Sequence, residues 1–154
     1  MALANMTQAE TNVANRKHCM LIADELDLIA QGTLYKCCEC GEYVNVELID
    51  HDELYDAIVS GDYCTCPECD CETYYEPVSM FDWLESALDF DYVINCNREY
   101  KAARILVAFG GPNIYVDTLS GQVELYWWGD KASYPLTNDA CAMIDEAMEE
   151  LYNC

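Results

Sequence analysis

Two pairs of cysteines constrain the fold of this chain more than any other feature. Cys37 and Cys40 form the first CxxC pair, and Cys66 and Cys69 form the second. A CxxC turn places two sulfurs at two corners of a tetrahedron, so two such turns supply the four thiolates of a Zn²⁺ site. The sequence therefore predicts a zinc-ribbon-like module, in which structural Zn²⁺ replaces core volume that a short segment cannot supply.

Neighbouring residues leave the ligand set open. Cys38, Cys64, Cys71 and His51 lie close to the two pairs in sequence, and any of them could replace one of the four ligands. The eleven cysteines would suggest disulfides in a secreted chain, but the N-terminal sequence MALANMTQAETNVANRK has no apolar segment of signal-peptide type. We therefore expect a cytoplasmic protein whose paired cysteines bind metal.

No catalytic set is readable in the sequence. A four-thiolate zinc site keeps no coordination position open for a substrate. Neither His18 nor His51 has the context of a nucleophile–base pair, and carboxylates are so common that pairs of them carry little information. We therefore predict that the protein is not an enzyme and has no catalytic residues.

Hydrophobic periodicity predicts an α+β fold. Residues 13–31 carry apolar side chains at helical spacing and precede Gly32, which suits a helix C-cap. Further helices are expected over 79–90 and 138–152, on either side of three strands. The last two strands form a hairpin over 113–128, where two alternating runs flank a turn.

These elements suggest a division of the chain into three segments. Residues 1–12 are polar and are expected to be disordered or frayed. Residues 13–77 would form an N-terminal helix and the zinc-ribbon-like module. Residues 78–154 would form an α-β-β-β-α unit with an antiparallel sheet, a β-hairpin and a C-terminal helix.

The charge of the chain is strongly negative. It has 29 Asp and Glu residues against 7 Lys and Arg, for a formal net charge of −22. Sixteen carboxylates and no Lys or Arg fall between Cys37 and Asn97. Because nucleic-acid binding depends on cations that displace condensed counterions, direct binding of nucleic acid is disfavoured. A basic surface on a protein partner is the expected target instead.

The partner surface is expected to combine the carboxylates around the cysteine pairs with nearby aromatic side chains. Asp and Glu would replace phosphates, and aromatic residues would add desolvated anchors. The alternative is that the aromatic side chains are buried in the hydrophobic core. The candidate contact residues are Glu39, Glu42, Glu47, Asp50, Asp52, Glu53, Asp56, Asp62, Glu68, Asp70, Glu72, Tyr74, Tyr75, Trp127 and Trp128.

The C-terminal third of the chain, residues 103–152, resembles small domains of phage and conjugative-element proteins. The resemblance rests on the motifs GGPNIYVDT and YWWGD and on the acidic closing helix. Small, acidic proteins of that setting are similar in role to anti-CRISPR or antirestriction inhibitors. The resemblance implies a mobile-element protein that acts on host defence in the bacterial cytoplasm, and it brings no catalytic residues with it.

Charge and resemblance together predict an anti-CRISPR-type inhibitor. Such a protein would bind the basic nucleic-acid channel of a CRISPR effector, or of another host nuclease, as an acidic DNA mimic and block target DNA binding. The alternative is a zinc-ribbon adaptor that docks on a protein without competing with nucleic acid. The two differ in outcome, because a mimic excludes DNA whereas an adaptor permits a ternary complex. No membrane partner is expected.

Overall fold

The first helix, α1 (Gln8–Gln31), begins with a capping box. The Thr7 amide donates to the Glu10 carboxylate at 2.7 Å, and the Thr7 hydroxyl accepts from the Glu10 amide. This computed structural model describes residues 7–154. Residues 8–12 therefore belong to the capped helix, whereas 1–6 lie outside the described residues, and the predicted segment 1–12 stays a prediction. Within 7–154, no helix is both long and apolar enough to cross a membrane.

The cysteine-rich module is built from short strands around one helix. Strand β1 (Leu34–Cys37) lies between β2 (Tyr43–Asn45) and β5 (Tyr75–Pro77) in an antiparallel three-stranded sheet. Strands β3 (Cys64–Thr65) and β4 (Glu72–Thr73) form a separate ribbon. Between β2 and β3 lie a 3₁₀ turn, Val46–Leu48, and helix α2 (Asp52–Ser60), which is capped by His51 and Gly61.

The C-terminal half is an antiparallel meander enclosed by two helices. A one-turn helix, α3 (Met80–Leu84), opens with a capping box between Ser79 and Asp82. The last helix is α4 (Asn138–Asn153), whose N-cap is Thr137. Between them, the sheet order is β10-β9-β8-β7-β6. The strands are β6 (Asp89–Ile94), β7 (Tyr100–Ala108), β8 (Asn113–Asp117), β9 (Gln122–Trp127) and β10 (Asp130–Pro135).

The α+β class and the predicted hairpin are confirmed, and the sheet is larger than the sequence predicted. The three expected strands correspond to β7, β8 and β9. The added strands, β6 and β10, form the two edges of the sheet. An edge strand has one neighbour and is often half exposed, so its hydrophobic alternation is weaker than that of a central strand.

Two separate clusters of buried side chains hold the fold together. The larger one lies between one face of the five-stranded sheet and helices α1, α3 and α4. The smaller one lies inside the cysteine-rich module and contains Cys37, Val46, Ile58, Cys66 and Tyr75. Helix α1 contributes its buried side to the larger cluster. The boundary predicted near residue 78 stays a prediction, because the two clusters alone do not establish independent units.

Polar contacts fix α4 against the rest of the larger core. The hydroxyls of Tyr100 and Thr118 each donate to Asp145 Oδ1 at 2.6 Å, which ties α4 to the sheet. At the N-terminus of α4, the Thr137 hydroxyl donates to Asp27 Oδ1 of α1 at 2.6 Å. These contacts set the position of α4 along the sheet.

The sheet face opposite the helices carries a small charged network. Glu124, only 8% exposed, accepts from the Tyr126 hydroxyl at 2.8 Å and from Lys131 Nζ at 3.0 Å, and it pairs with Arg104 at 3.5 Å. Burial would raise the pKa of Glu124, but these three partners lower it overall. Arg104 also lies 3.9 Å from Asp117. The ion pairs found within residues 7–154 all belong to this network.

Candidate metal centre and acidic surface

The first CxxC segment folds into a tight turn at the end of β1. The Gly41 amide donates to the Cys37 carbonyl at 3.0 Å, and the Cys37 amide donates to the Glu42 carbonyl at 2.9 Å. Gly41 has a φ of 76°, in the left-handed region that glycine adopts without strain. The turn brings the sulfurs of Cys37 and Cys40 to the same side of the backbone.

The second CxxC segment, between β3 and β4, repeats the same hydrogen bonds. The Asp70 amide donates to the Cys66 carbonyl at 2.9 Å, and the Cys66 amide donates to the Cys71 carbonyl at 3.0 Å. Asp70 takes the place of the glycine, with a φ of 56°. Aspartate tolerates this conformation better than most residues. The sequence spacing therefore produces two equivalent turns.

These turns place four sulfurs in one cluster. The Sγ atoms of Cys37, Cys40, Cys66 and Cys69 all lie within 4.8 Å of one another, and those of Cys40 and Cys66 are 3.9 Å apart. Four thiolates at the usual Zn–S distance of about 2.3 Å stand about 3.8 Å apart, so this cluster fits a structural metal such as zinc. All eleven cysteines are free, and none of these sulfurs is paired in a disulfide.

Backbone amides favour the thiolate form of Cys37. Burial would raise the pKa of Cys37, but donation from the amides of Cys40 and Glu39 lowers it to about 6, with smaller contributions from the Cys40 and Thr73 side chains. The Sγ atom lies 3.8 Å from the hydroxyl oxygen of Thr73, which is itself 1% exposed. A metal ion binds cysteine as the thiolate, so this environment favours metal binding.

Cys66 has the equivalent environment and one additional donor. Burial would raise the pKa of Cys66, but the Tyr75 hydroxyl and the amides of Cys69 and Glu68 lower it. In turn, burial and then the hydrogen bond to the Cys66 sulfur raise the pKa of Tyr75. Tyr75 is only 5% exposed, so its predicted role as a surface anchor is wrong. The ring lies in the core of the module, and its hydroxyl is hydrogen-bonded to Cys66.

The outer sulfurs of the two turns hold their protons more firmly. The Glu42 amide donates to Cys40, but partial desolvation and the nearby Cys37 sulfur raise the pKa of Cys40 overall. The Cys71 amide donates to Cys69, while desolvation and neighbouring sulfurs raise the pKa of Cys69 to about 12. Four sulfurs this close cannot all be charged without a cation, so metal binding would release protons.

The other candidate ligands lie outside the sulfur cluster. Cys38 and Cys71 are exposed, and Cys64 packs at the edge of the smaller core. Burial, followed by the charges of Cys66 and Cys37, raises the pKa of Cys64. His51 is exposed at the N-terminus of α2. Of the alternatives left open by the sequence, none contributes an atom to the four-sulfur cluster.

Sequence reasoning missed Thr73 and assigned Tyr75 to the surface instead of to the sulfur cluster. They lie two positions apart in an extended segment, and both are buried beside the sulfurs. Tyr74, between them, is 37% exposed. Period-two alternation would have placed 73 and 75 on one face and 74 on the other. That signal was present, but it does not show that the inward face meets the metal site.

The carboxylates of the segment 37–97 form an acidic surface. All sixteen of them are exposed, including every acidic residue proposed as a partner contact. The ion pairs found in residues 7–154 involve none of the sixteen. Glu39 and Glu68 occupy equivalent positions in the two CxxC turns, so both turns present a carboxylate to solvent. The module is therefore negative on its outside and thiolate-rich on its inside.

The two tryptophans lie in a different part of the molecule. Trp127 is half-buried against the larger core, and Trp128 is 87% exposed in the turn between β9 and β10. Cys19 of α1 lies beside Ala132, close to this turn. The module begins beyond the C-terminal end of α1, about 18 Å further along the helix axis. The structure therefore does not bring the tryptophans together with the acidic module.

The site consequently combines two properties, a four-sulfur cluster and an acidic exterior on which Lys36, opposite Glu76, is the one cationic side chain of residues 34–97. The first depends on two locally determined turns, and the second on the absence of Lys and Arg from the segment 37–97. Comparisons of the chain with protein-family models, with curated proteins and with solved structures found no match.

Proposed function

We propose that this protein is an inhibitor that binds the basic nucleic-acid-binding surface of a protein as an acidic mimic of DNA. The observation that carries the proposal is the exposure of all sixteen carboxylates of segment 37–97, beside which Lys36 of β1 is the only Lys or Arg in residues 34–97. A surface of this kind repels nucleic acid and is attracted to the channels that hold nucleic acid. The proposed action is stoichiometric binding and needs no catalytic step.

The metal supports this function by holding the acidic residues in place. In the proposal, Cys37, Cys40, Cys66 and Cys69 bind one structural Zn²⁺. Four thiolates and Zn²⁺ sum to two negative charges, so the metal site adds to the acidity of the module. A rigid array loses less conformational entropy on binding than flexible acidic side chains on a disordered segment would.

The proposed class of target is a CRISPR effector or another host nuclease. This choice follows from the resemblance of residues 103–152 to proteins of phages and conjugative elements, combined with the charge. Effectors of this class hold their guide–target heteroduplex in a positively charged channel. An acidic module that enters such a channel would block target DNA binding, and the association would be fast and sensitive to salt.

The proposal is tested by competition for target DNA. Labelled target DNA is titrated onto a guide-loaded effector with and without the protein, and binding is followed by fluorescence anisotropy at several salt concentrations. We expect the protein to raise the apparent Kd for DNA in proportion to its concentration, and to do so less well as salt rises. Substoichiometric inhibition would instead point to an enzyme.

Two charge variants with the same change in net charge separate mimicry from nonspecific acidity. The first carries Glu39→Gln, Glu68→Gln and Glu72→Gln in the module. The second carries Asp24→Asn, Glu99→Gln and Glu149→Gln, all exposed and outside the module. We expect the first variant to lose about tenfold or more in inhibition and the second to lose little. A stable ternary complex with DNA would reject mimicry and support the adaptor alternative.

A further inference from the structure

A groove between α3 and α4 is lined by apolar side chains. It consists of two adjoining hollows of about 270 Å³ and 340 Å³ that share Phe81. One hollow extends to Ile29 and Met143, and the other extends to Phe90 and Leu151. Between Met143 and Leu151 the α4 axis rises about 12 Å, so the groove follows about two turns of helix.

The apolar side chains on the walls of this α3–α4 groove are unusually accessible. Phe81 is 42% exposed, Phe90 is 40% exposed and Leu151 is 38% exposed. Met80 and Ala147, which also line the groove, are buried. Soluble proteins seldom group large exposed side chains around a concave surface unless that surface binds something apolar.

The charged residues that line the groove are all acidic. Glu146 and Glu150 lie along one hollow and Glu85 lies along the other, and neither hollow is lined by Lys, Arg or His. All three carboxylates are exposed. An apolar groove with this rim is complementary to an apolar ligand that carries positive charges beside its apolar surface.

We propose that the α3–α4 groove binds an amphipathic α-helix of a protein partner, with apolar anchors on one face and lysine or arginine beside them. Apolar side chains at positions i, i+3, i+4 and i+7 of a helix span a length similar to that of the groove. Apart from Phe90 of the edge strand β6 and the residues that flank α3, the lining side chains belong to helices, which offer an extended peptide no free backbone along most of the groove. A helix satisfies its own backbone and needs none.

The same charges argue against the other possible occupants. A second copy of this chain carries the same acidic rim and a net charge of −22, so self-association through the groove would be repulsive. Anionic lipid would be repelled in the same way. The groove lies outside the cysteine-rich module, so this proposal stands or falls independently of DNA mimicry.

The probe is a labelled peptide of about 14 residues, made of leucine and lysine with the leucines on one helical face. Its binding to the full-length protein is measured by fluorescence anisotropy, and its conformation by circular dichroism. Because any cationic peptide is attracted to so acidic a protein, the control is a peptide of the same composition whose leucines are scattered around the helix. We expect the amphipathic peptide to become helical and to bind about tenfold more tightly than the control.

Substitutions in the α3–α4 groove test whether the peptide binds there. Phe81→Ala and Leu151→Ala, both at exposed positions, should each weaken binding of the amphipathic peptide by about tenfold, whereas Phe109→Ala, at a position 72% exposed outside the groove, should not. The pair Glu146→Gln and Glu150→Gln should reduce the salt dependence of binding. Equal binding of the two peptides, or unchanged binding by both the Phe81 and Leu151 variants, would overturn the proposal.

Discussion

Trp128 is held in a backbone conformation that tryptophan seldom adopts. It forms a two-residue turn with Gly129, and the two residues have φ values of 47° and 88° between the paired residues Trp127 and Asp130. Positive φ at both central positions is the requirement of a type I′ turn, for which Asn-Gly is the favoured sequence. A bulky side chain in this region costs about 1 kcal/mol or more. With the indole 87% exposed, little burial offsets that cost.

The substitution Trp128→Asn should therefore stabilise the protein. We expect the free energy of unfolding to rise by about 0.5 to 1 kcal/mol, since loss of the edge-to-face contact with Trp127 offsets part of the relieved strain. Urea denaturation measures the change.

Leu119→Asn is the matched control for this substitution. Leu119 is 67% exposed in the loop between β8 and β9, and it is not among the residues with positive φ. If Trp128 is a partner anchor, Trp128→Asn should also weaken inhibition in the competition assay. A Trp128→Asn protein no more stable than wild type would refute the strain argument.

At the scale of elements, the cysteine-rich module depends on its ligands for much of its core. Two of the five buried residues in its hydrophobic cluster, Cys37 and Cys66, are proposed ligands, and the Tyr75 hydroxyl is hydrogen-bonded to Cys66. We expect a zinc chelator, or Cys40→Ser, to remove hydrogen-exchange protection from β1, β2 and α2 while β7, β8 and β9 stay protected. Mass spectrometry of exchanged peptides and a zinc assay measure the two effects.

The exposed thiol of Cys71 supplies the control for the metal experiment. Cys71→Ser keeps a polar side chain beside Cys69 and leaves all four clustered sulfurs in place, so zinc content and exchange protection should stay unchanged. Retention of one equivalent of zinc by Cys40→Ser would contradict the ligand set. Simultaneous loss of protection in β7, β8 and β9 would show that the two cores unfold together, against the boundary near residue 78.

The elements also show what the sequence could and could not predict. The CxxC turns were predictable because spacing and the residue after each pair determine them locally. The buried stripe of α1 was predictable, but its packing partner was not, since a stripe does not identify the surface that covers it. Tyr75 was wrongly expected at the surface for the same reason. Which face of its strand is buried depends on the position of the sulfur cluster. The α3–α4 groove depends on residues from four elements, and no local pattern indicates it.

For the whole molecule, the charge distribution should make stability rise with salt. The chain carries −22, and its ion pairs within residues 7–154 are confined to the network around Glu124, Arg104 and Lys131. Screening weakens those partly exposed pairs only slightly, because such pairs contribute little. It weakens the mutual repulsion of the exposed carboxylates much more, since repulsion among many charges favours the expanded chain.

We therefore expect the melting temperature to rise by roughly 3 to 6 °C as NaCl increases from about 0.01 M to about 1 M, over which the Debye length falls from about 30 Å to about 3 Å. Differential scanning calorimetry measures this, with sucrose as a control for stabilisation without screening. The variant with Glu39→Gln, Glu68→Gln and Glu72→Gln should show a smaller rise. A melting temperature that falls with salt would mean that the ion pairs outweigh the repulsion.

Under the proposed function, the same carboxylates have opposite effects in the free and bound states: salt stabilises the free protein and weakens its complex with a basic partner. Binding to that partner should accordingly raise the melting temperature most at low salt, where the unpaired charges cost the free protein most.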